Sequence, residues 1–188
     1  MERCLVDVRC WMLSNKLMLN DKKTEILIVV RKDHRKIVDN ITVKVGDTSI
    51  VPSKCVRNLG GTLDDELSME KQVQAVVRSA NYHIRRISKI RHFLDDDTCA
   101  KVVNATITSR LDYHNGLLAG LHDKVVKPLQ IVQNNAARLL TRTRRREHIS
   151  PVLQSLHWLP IKQRIAFKVL TFIHKPCIMK HPQSTFII

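Results

Sequence analysis

The chain has 188 residues, 44% of them hydrophobic, and its 32 Lys and Arg exceed its 17 Asp and Glu to give a formal net charge of +15. This length allows one substantial core or two small ones, and the hydrophobic fraction excludes a largely disordered chain. The charge favours a polyanionic partner, with nucleic acid first. No apolar run approaches the roughly 18 residues of a membrane span, so we expect no membrane partner.

The cysteines are odd in number and scattered, with no C-x-x-C pair: Cys4, Cys10, Cys55, Cys99 and Cys177. This pattern predicts reduced thiols in an intracellular compartment, nuclear or cytoplasmic. Charges at positions 2, 3, 7 and 9 argue against a secretory signal. His174, Cys177 and His181 have ligand-like spacing, but chance explains three such residues in a basic tail, and we predict no metal site.

The N-terminal part begins with a helical period. Apolar residues from Leu5 to Leu17 predict a helix over 2–18, with Trp11 near its buried stripe. The β-branched run TEILIVV over 24–30 predicts a strand, and RKDHRK over 31–36 predicts a solvated loop.

Alternation then indicates a small hairpin between Ile41 and Val51, with a turn at Gly46–Ser49. Cys55 to Leu59 is predicted to form a third strand. The pair Gly60-Gly61 allows positive φ and close backbone approach. It is interpreted either as a plain turn from strand to helix or as a point of backbone contact with a ligand.

The next stretch predicts a helix of about 24 residues with Ser68 as its N-cap. Its apolar ladder runs from Val73 to Leu94. Its other face is basic and carries Lys71, Arg78, Arg85, Arg86, Lys89 and Arg91.

Helical periods continue to about Lys175. Asp95–Asp97 are expected at a helix start, and a break is expected near Gly116. A further helix over 125–140 requires Pro128 to lie in its first turn. Ser150-Pro151 and Leu159-Pro160 predict two more helix starts, and the tail beyond Pro176 is expected to be loosely held.

The predicted fold class is therefore α+β, with a small helix and antiparallel sheet followed by a mainly α-helical region. The predicted domains are 1–66, 67–175 and a loosely ordered tail over 176–188.

The chain shows no self-sufficient active site. Asp64-Asp65-Glu66 and Asp95-Asp96-Asp97 are its acidic clusters, and acids at helix starts explain them more simply than a two-metal centre. No nucleophile motif such as G-x-S-x-G is present. Basic residues give the strongest signal, and we predict electrostatic contact with phosphates from the long helix and from a second cluster made of Arg138, Arg142, Arg144, Arg145 and Arg146.

Five blocks resemble, in order and spacing, the C-terminal part of the reverse transcriptase of non-LTR (LINE-type) retrotransposons. They are WMLSNKLMLNDKKTEILIV (11–29), VRNLGGTLDDELSMEKQV (56–73), SRLDYHNGLLAGL (109–121), LQIVQNNAARLLTR (129–142) and HISPVLQSLHWLPIKQRIAFK (148–168). The resemblance covers about residues 8–175.

The resemblance implies several roles. The first block would close the palm subdomain, and Lys23 would be an auxiliary residue near the departing pyrophosphate. Asn58, Leu59 and Gly60 would match the primer grip, with Gly61 beside them. The helices that follow would form the thumb, whose basic faces contact RNA, DNA or an RNA–DNA hybrid.

The family's catalytic aspartates, which hold Mg²⁺ in the intact enzyme, lie upstream of the first block and have no match here. We therefore expect no polymerase activity and no cofactor for this chain, and the missing palm or self-association are candidate protein contacts. Gly61 and the tail after His174 also depart from the family pattern. Three hypotheses stay open: a nucleic-acid-binding reverse transcriptase fragment, an adopted basic helical module that binds RNA or DNA, or a decayed fragment without function.

Overall fold

The computed structural model describes residues 2–30, 41–46 and 48–178. The fold is α+β, as predicted, with helices and two separate two-stranded antiparallel sheets. The chain forms two compact units, Met1–Lys71 and Gln72–Ile188. The predicted boundary between residues 66 and 67 lies a few residues before this division. Of the predicted tail, residues 176–178 continue the last helix and 179–188 lie outside the described residues.

The described part of the first unit, before α2 begins, forms one α-helix and four short strands. Its elements are α1 (Glu2–Ser14), a 3₁₀ turn (Asp21–Lys23), β1 (Val43–Val45), β2 (Thr48–Ile50), β3 (Cys55–Asn58) and β4 (Gly61–Asp64). The pair β1–β2 confirms the predicted hairpin, with Val43 opposite Ile50 and Val45 opposite Thr48. Val43 and Val45 are buried while Lys44 between them is exposed, as strand alternation requires.

The first helix is shorter than the sequence indicates. It ends at Ser14 rather than near residue 18, and Lys16 has a positive φ of 58°, which breaks the helical path. Trp11 was predicted near the buried stripe, but its side chain is 62% exposed. The apolar period therefore predicts that a helix forms here, but it does not predict which of the apolar side chains are buried.

The segment Thr24–Val30 was predicted to be a strand and does not form one. Ser53 N donates to Ile26 O at 2.8 Å, but this contact does not extend into a ladder within the described residues. A β-branched run becomes a strand only beside a hydrogen-bonding neighbour, so propensity alone misleads here. The predicted loop over 31–36 lies outside the described residues.

The Gly60-Gly61 pair belongs to a second hairpin and not to a strand-to-helix hinge. Strands β3 and β4 pair with Asn58 opposite Gly61, which leaves Leu59 and Gly60 as a two-residue turn. Both turn residues have positive φ, 47° and 82°, as the tight turns of right-twisted hairpins require. Glycine at 60 meets this requirement without strain, whereas leucine at 59 does not.

The second unit is helical. Helix α2 (Glu70–Ile90) leads into it and is followed by 3₁₀ turns and helices: Arg91–Phe93, α3 (Asp96–Val103), a π-helical stretch (Asn104–Thr108), α4 (Ser109–Asp112), Asn115–Leu118, α5 (Asp123–Thr141), α6 (Ile149–Ser155) and α7 (Ile161–Ile178). Of these elements, α2 alone begins before the division between the units, by two residues.

The core of the second unit confirms most of the predicted apolar ladders, although Ile90 of the α2 ladder is 47% exposed. Helix α2 buries Val73, Ala80 and Ile87, which recur every seven residues along one face. Helix α5 contributes a continuous buried stripe, and α3 and the π-helical stretch supply small and β-branched side chains. The buried members of these elements are Leu129, Val132, Ala136, Ala137, Leu140, Cys99, Val103 and Ile107.

Several helix starts differ from the predicted ones by a few residues. The helix predicted over 125–140 begins at Asp123, and the side chain of its N-cap, His122, accepts a hydrogen bond from Lys124 N. Pro128 therefore lies in the second turn of α5, although the sequence placed it in the first. Helix α6 begins at Ile149 with His148 as N-cap, so Ser150 and Pro151 lie inside the helix. The turn at Asn115–Leu118 confirms the predicted break near Gly116.

Candidate nucleic-acid interface

Helix α2 presents a basic surface opposite its buried stripe. Arg78, Arg85 and Lys89 are exposed and recur at intervals of seven and four residues. Because successive residues advance by about 100° around a helix, these three fall within one narrow arc. Ala80 and Ile87 lie on the far side, in the core. We call Arg78, Tyr82, Arg85, Arg86 and Lys89 the α2 basic surface.

No carboxylate interrupts this surface along its own helix, since Glu70 is the only acid of α2. From Arg78 to Lys89 the helix rises about 16 Å. One strand of a duplex carries a phosphate about every 3.4 Å of axis, so this length matches about five of them. The α2 basic surface therefore has the charge and the extent to contact a nucleic-acid backbone.

Tyr82 and Arg86 form one exposed unit of the α2 basic surface. The Arg86 Nη1 donates to the Tyr82 hydroxyl at 2.9 Å, and the guanidinium carbon lies 5.5 Å from the ring centroid. The Tyr82 side chain is 53% exposed. An aromatic ring held beside a cation offers both a stacking face and a phosphate partner.

His83 follows Tyr82 on α2, and both burial and neighbouring arginine charges act on its pKa. Burial is the largest cause that lowers the pKa of His83 below 6.5, and the positive charges of Arg110 and Arg86 lower it further. Arg110 is exposed and donates from Nε to Thr106 O at 2.9 Å. The sequence analysis did not select Arg110, because only tertiary packing brings α4 near α2.

Arg91 was predicted to lie on the exposed basic face of the long helix, and this prediction is wrong because the residue is buried. Its side chain is only 7% exposed, and it donates from Nε to Leu139 O at 3.0 Å and from Nη2 to Leu140 O at 2.8 Å. It also donates to Leu94 O at 2.8 Å and pairs with Asp96. The guanidinium therefore satisfies the last carbonyls of α5 and holds the start of α3, which leaves it unavailable for phosphate contact.

The second basic cluster spans the last turn of α5, where Arg138 lies, and the loop that follows the helix. Arg138 donates from Nη1 to Arg144 O and from Nη2 to Glu147 O, the latter at 2.7 Å, and Arg144 N donates to Glu147 Oε1 at 3.1 Å. Arg142 ends the helix with a positive φ of 57°. Arg142, Arg144, Arg145 and Arg146 are exposed, so four of the five predicted residues present their side chains to solvent.

The residues that resemble a primer grip lie in the first unit at the β3–β4 turn. Asn58, Leu59 and Gly60 are exposed, with Leu59 at 79%, whereas Gly61 is buried at the start of β4. An exposed leucine at the tip of a tight hairpin is uncommon and leaves an apolar point on the surface. Lys23 is exposed and ends the 3₁₀ turn after α1.

The acidic clusters have structural roles. Asp95 is the N-cap of α3, and hydrogen bonding to Thr98 is the largest cause that lowers the pKa of Asp95. Asp64 lies at the end of β4, where both its oxygens accept from Ser68 at 2.6 Å before α2 begins. Within 2–30, 41–46 and 48–178, no three His, Cys, Asp or Glu side chains gather as a metal site. His174 is exposed, and the other two residues of its motif lie outside the described side chains.

Comparisons with protein-family models, with curated proteins and with solved structures give no match for this chain. No helix in the described part of the chain is long and apolar enough to cross a membrane.

Proposed function

We propose that this chain is the nucleic-acid-binding, thumb-like part of a non-LTR retrotransposon reverse transcriptase, and that the α2 basic surface contacts the phosphate backbone of the template–primer. One observation supports this proposal most directly. Helix α2 places three exposed cations, at intervals of seven and four residues, opposite its buried stripe, and none of the helix residues between them is an acid. The five sequence blocks that resemble the family give the proposal its enzyme class.

The loop after α5 is proposed as a second contact. Its exposed members Arg142, Arg144, Arg145 and Arg146 extend from a backbone that Arg138 and Glu147 hold in place. Such a braced loop loses less conformational freedom on binding than a mobile one. We assign this loop to phosphate contact and not to base recognition, because arginines on one short loop offer charge without a groove-reading element.

An adopted binding module is the second candidate function. The second unit has its own buried core, from Val73 through Ile165, so a helical module could bind RNA or DNA for a purpose other than polymerisation. The two candidate functions differ in the nucleic-acid structures that they should bind most tightly. A polymerase thumb should bind RNA–DNA hybrids and duplexes with a recessed end, whereas an adopted module has no reason to favour such ends.

Both candidate functions require contact with nucleic-acid phosphates, and the salt dependence of binding tests this contact. We expect the logarithm of the binding constant to fall linearly with the logarithm of salt concentration, with a slope of several units, since each phosphate contact contributes about 0.9 on B-DNA. The triple variant R78Q/R85Q/K89Q should reduce this slope by about 2 to 3 units. Fluorescence anisotropy with a labelled RNA–DNA hybrid, between about 50 and 200 mM salt, measures the slopes of the wild type and of the variant.

A matched variant controls for net charge. K124Q/K127Q/K162Q removes three exposed lysines from α5 and α7, outside the α2 basic surface, and should change the slope little. If the two triple variants lower the slope equally, charge alone determines binding and the α2 basic surface has no special role. A wild-type slope near zero would rule out backbone contact altogether.

A further inference from the structure

Helix α7 is buried at its start and exposed in its second half. Ile161 and Ile165 belong to the core, but no residue from Ala166 to His174 is buried. The large apolar side chains of this second half are between 58% and 63% exposed, and they are Phe167, Leu170, Phe172 and Ile173. A helix that is apolar around most of its circumference is normally covered by other parts of a protein, and a cluster of exposed apolar side chains marks a contact surface.

One face of this exposed half borders a groove of about 480 Å³, which we call the α7 groove. Its apolar lining comes from α7, from the segment before α5 and from α5 itself: Leu118, Leu121, Val126, Ile165, Val169 and Leu170. Gly120 also borders it, and no described atom lies within 4 Å of the place that a Cβ of this glycine would take. The α7 groove is therefore open to a second molecule along apolar walls.

Lysines surround one end of the α7 groove. There it meets a second groove of about 460 Å³, and the two share Asp123, Val126 and Lys162 as lining residues. Lys162 Nζ lies 2.7 Å from the Asp123 carboxylate. Lys124 and Lys127 are further exposed lysines of the second groove. Asp123 is the one acid among the lining residues of both grooves, so the three lysines leave a surplus of positive charge beside the apolar walls.

This charge indicates what kind of molecule covers the α7 groove. The sequence from His148 to Ile188 contains no Asp or Glu, so α7 of a second copy would bring cations against these lysines. A nucleic acid would pair with the lysines but leave the apolar walls exposed to water. A bilayer surface would contact the protruding side chains of α7 but not Leu118 and Val126, which are buried. An acidic polypeptide with an apolar face satisfies both requirements.

The shape of the α7 groove favours a helix as the occupant. The described part of the second unit contains no strand, so it offers no sheet edge to which an extended peptide could add. The lining of the groove contains no aromatic ring, which polyproline segments require. The α7 face from Lys162 to Ile173 rises about 17 Å, which matches about three turns of a helix lying alongside it.

We propose that the α7 groove docks an amphipathic α-helix of a protein partner, with an apolar face flanked by acidic side chains. Apolar residues at i, i+3, i+4 and i+7 of that helix would cover Val169, Leu170 and Ile173. Ile173 lies four positions after Val169, on the same face of α7. The carboxylates of the partner helix would lie near Lys124 and Lys127. This inference concerns a protein partner and does not depend on the proposed contact with nucleic acid.

Three synthetic helical peptides of about 18 residues test the chemistry of the occupant. The first has Leu on one face and Glu on the flanks, and the second has Lys in place of each Glu. The third has the composition of the first, with its leucines dispersed around the helix. We expect the full chain to bind the first peptide at least about tenfold more tightly than either of the others, as measured by fluorescence anisotropy of labelled peptides in about 150 mM salt.

The variant A166W fills the α7 groove from an exposed position of its own wall. We expect it to weaken binding of the first peptide at least about tenfold, because an indole would occupy the volume that the leucines of the peptide need. The control A75W places the same side chain at an exposed alanine of α2 and should bind the peptide as the wild type does. Should A166W fail to fold, L170Q removes an apolar contact from the same wall at an exposed position and should weaken binding about tenfold.

The two triple variants separate this site from the α2 basic surface. K124Q/K127Q/K162Q should weaken binding of the first peptide about five- to tenfold and leave binding of nucleic acid nearly unchanged. R78Q/R85Q/K89Q should do the reverse, with weaker binding of an RNA–DNA hybrid and unchanged binding of the peptide. Failure of one site is therefore distinguishable from failure of the other.

Several outcomes would overturn the proposal. Absence of binding by the first peptide would do so, and equal binding of the dispersed peptide would show that charge alone attracts it. Equal binding by A166W would place the peptide outside the α7 groove. A dimer of the wild-type chain in sedimentation that A166W abolishes would identify a second copy as the occupant. Binding to vesicles of phosphatidylcholine with about one third phosphatidylserine, lost in A166W, would identify a lipid surface.

Discussion

At the scale of single residues, the same side chain serves binding or folding according to what surrounds it. Arg85 and Arg91 lie six positions apart on one basic sequence pattern, yet Arg85 is exposed and Arg91 is buried against α5 carbonyls. Arg138 likewise donates hydrogen bonds to the backbone oxygens of Arg144 and Glu147, so its guanidinium is partly occupied within the protein. Positive charge in the sequence therefore overstates the charge that is available for binding.

Replacing Arg91 should cost stability and not affinity. R91A leaves the Leu139 and Leu140 carbonyls without their donor, and we expect a loss of about 2 to 4 kcal/mol of unfolding free energy. The exposed control R85A should stay within about 0.5 kcal/mol of wild type. Chemical denaturation of both variants measures the difference, and equal stabilities would show that the hydrogen bonds of Arg91 to the α5 carbonyls do not stabilise the fold.

His83 should make nucleic-acid binding depend on pH. Its pKa is lowered in the folded chain by burial and by Arg110 and Arg86, so below about 6.5 the unfolded chain holds more protons and this residue's contribution to stability rises with pH. A bound phosphate would offset the arginine charges and raise the pKa again. Binding would then take up a proton, and affinity should increase as pH falls from about 7.5 to about 5.5.

Anisotropy titrations of H83Q test this dependence. The variant should bind with a flatter pH profile than wild type, while H174Q, at an exposed position of α7, should keep the wild-type profile. Identical profiles for wild type and H83Q would place the bound phosphates away from Arg86 and Arg110.

At the scale of elements, the β3–β4 hairpin depends on a two-residue turn with positive φ at both positions. Gly60 adopts this conformation easily, whereas Leu59 does not. Leu59 holds φ at 47°, where a leucine is strained by about 1 to 2 kcal/mol, and Gly60 holds φ at 82°. We expect L59N to slow hydrogen exchange of the β3 and β4 amides and G60A to accelerate it, because asparagine tolerates positive φ and alanine does not. Faster exchange in L59N would show that the exposed leucine makes a contact that outweighs its strain.

At the scale of the whole molecule, the two units differ in the size of their cores. Val43, Val45 and Met69 are the buried apolar residues of the first unit's described part, whereas the second unit buries a long series from Val73 to Ile165. Two-stranded sheets are marginal without a larger apolar face. Stability should therefore be distributed unevenly along the chain.

Hydrogen exchange followed by mass spectrometry should show this contrast. We expect amides of 67–170 to be protected and those of 1–60 to exchange fast, since local opening costs least where few apolar contacts are lost. A protein beginning at Ser68 should be more soluble than the full chain, because it lacks the exposed side chains of α1, among them Trp11 and Leu13. Equal protection in both regions, together with a monomeric full-length chain, would show that the first unit completes its own core.

The sequence by itself determined the fold class, the β1–β2 hairpin, the α2 ladder and the acids at the start of α3, because these depend on local periodicity and capping. It also located the α2 basic surface, since charge and helical period lie in the same stretch. Tertiary structure alone decided that Arg91 is buried, that Arg110 lies near enough to His83 to lower its pKa, and that Thr24–Val30 forms no strand. It also joined Asp112 and Arg164 in an ion pair across 52 positions of the chain. Partners distant in the chain fix these features, and no local pattern specifies which of them will meet.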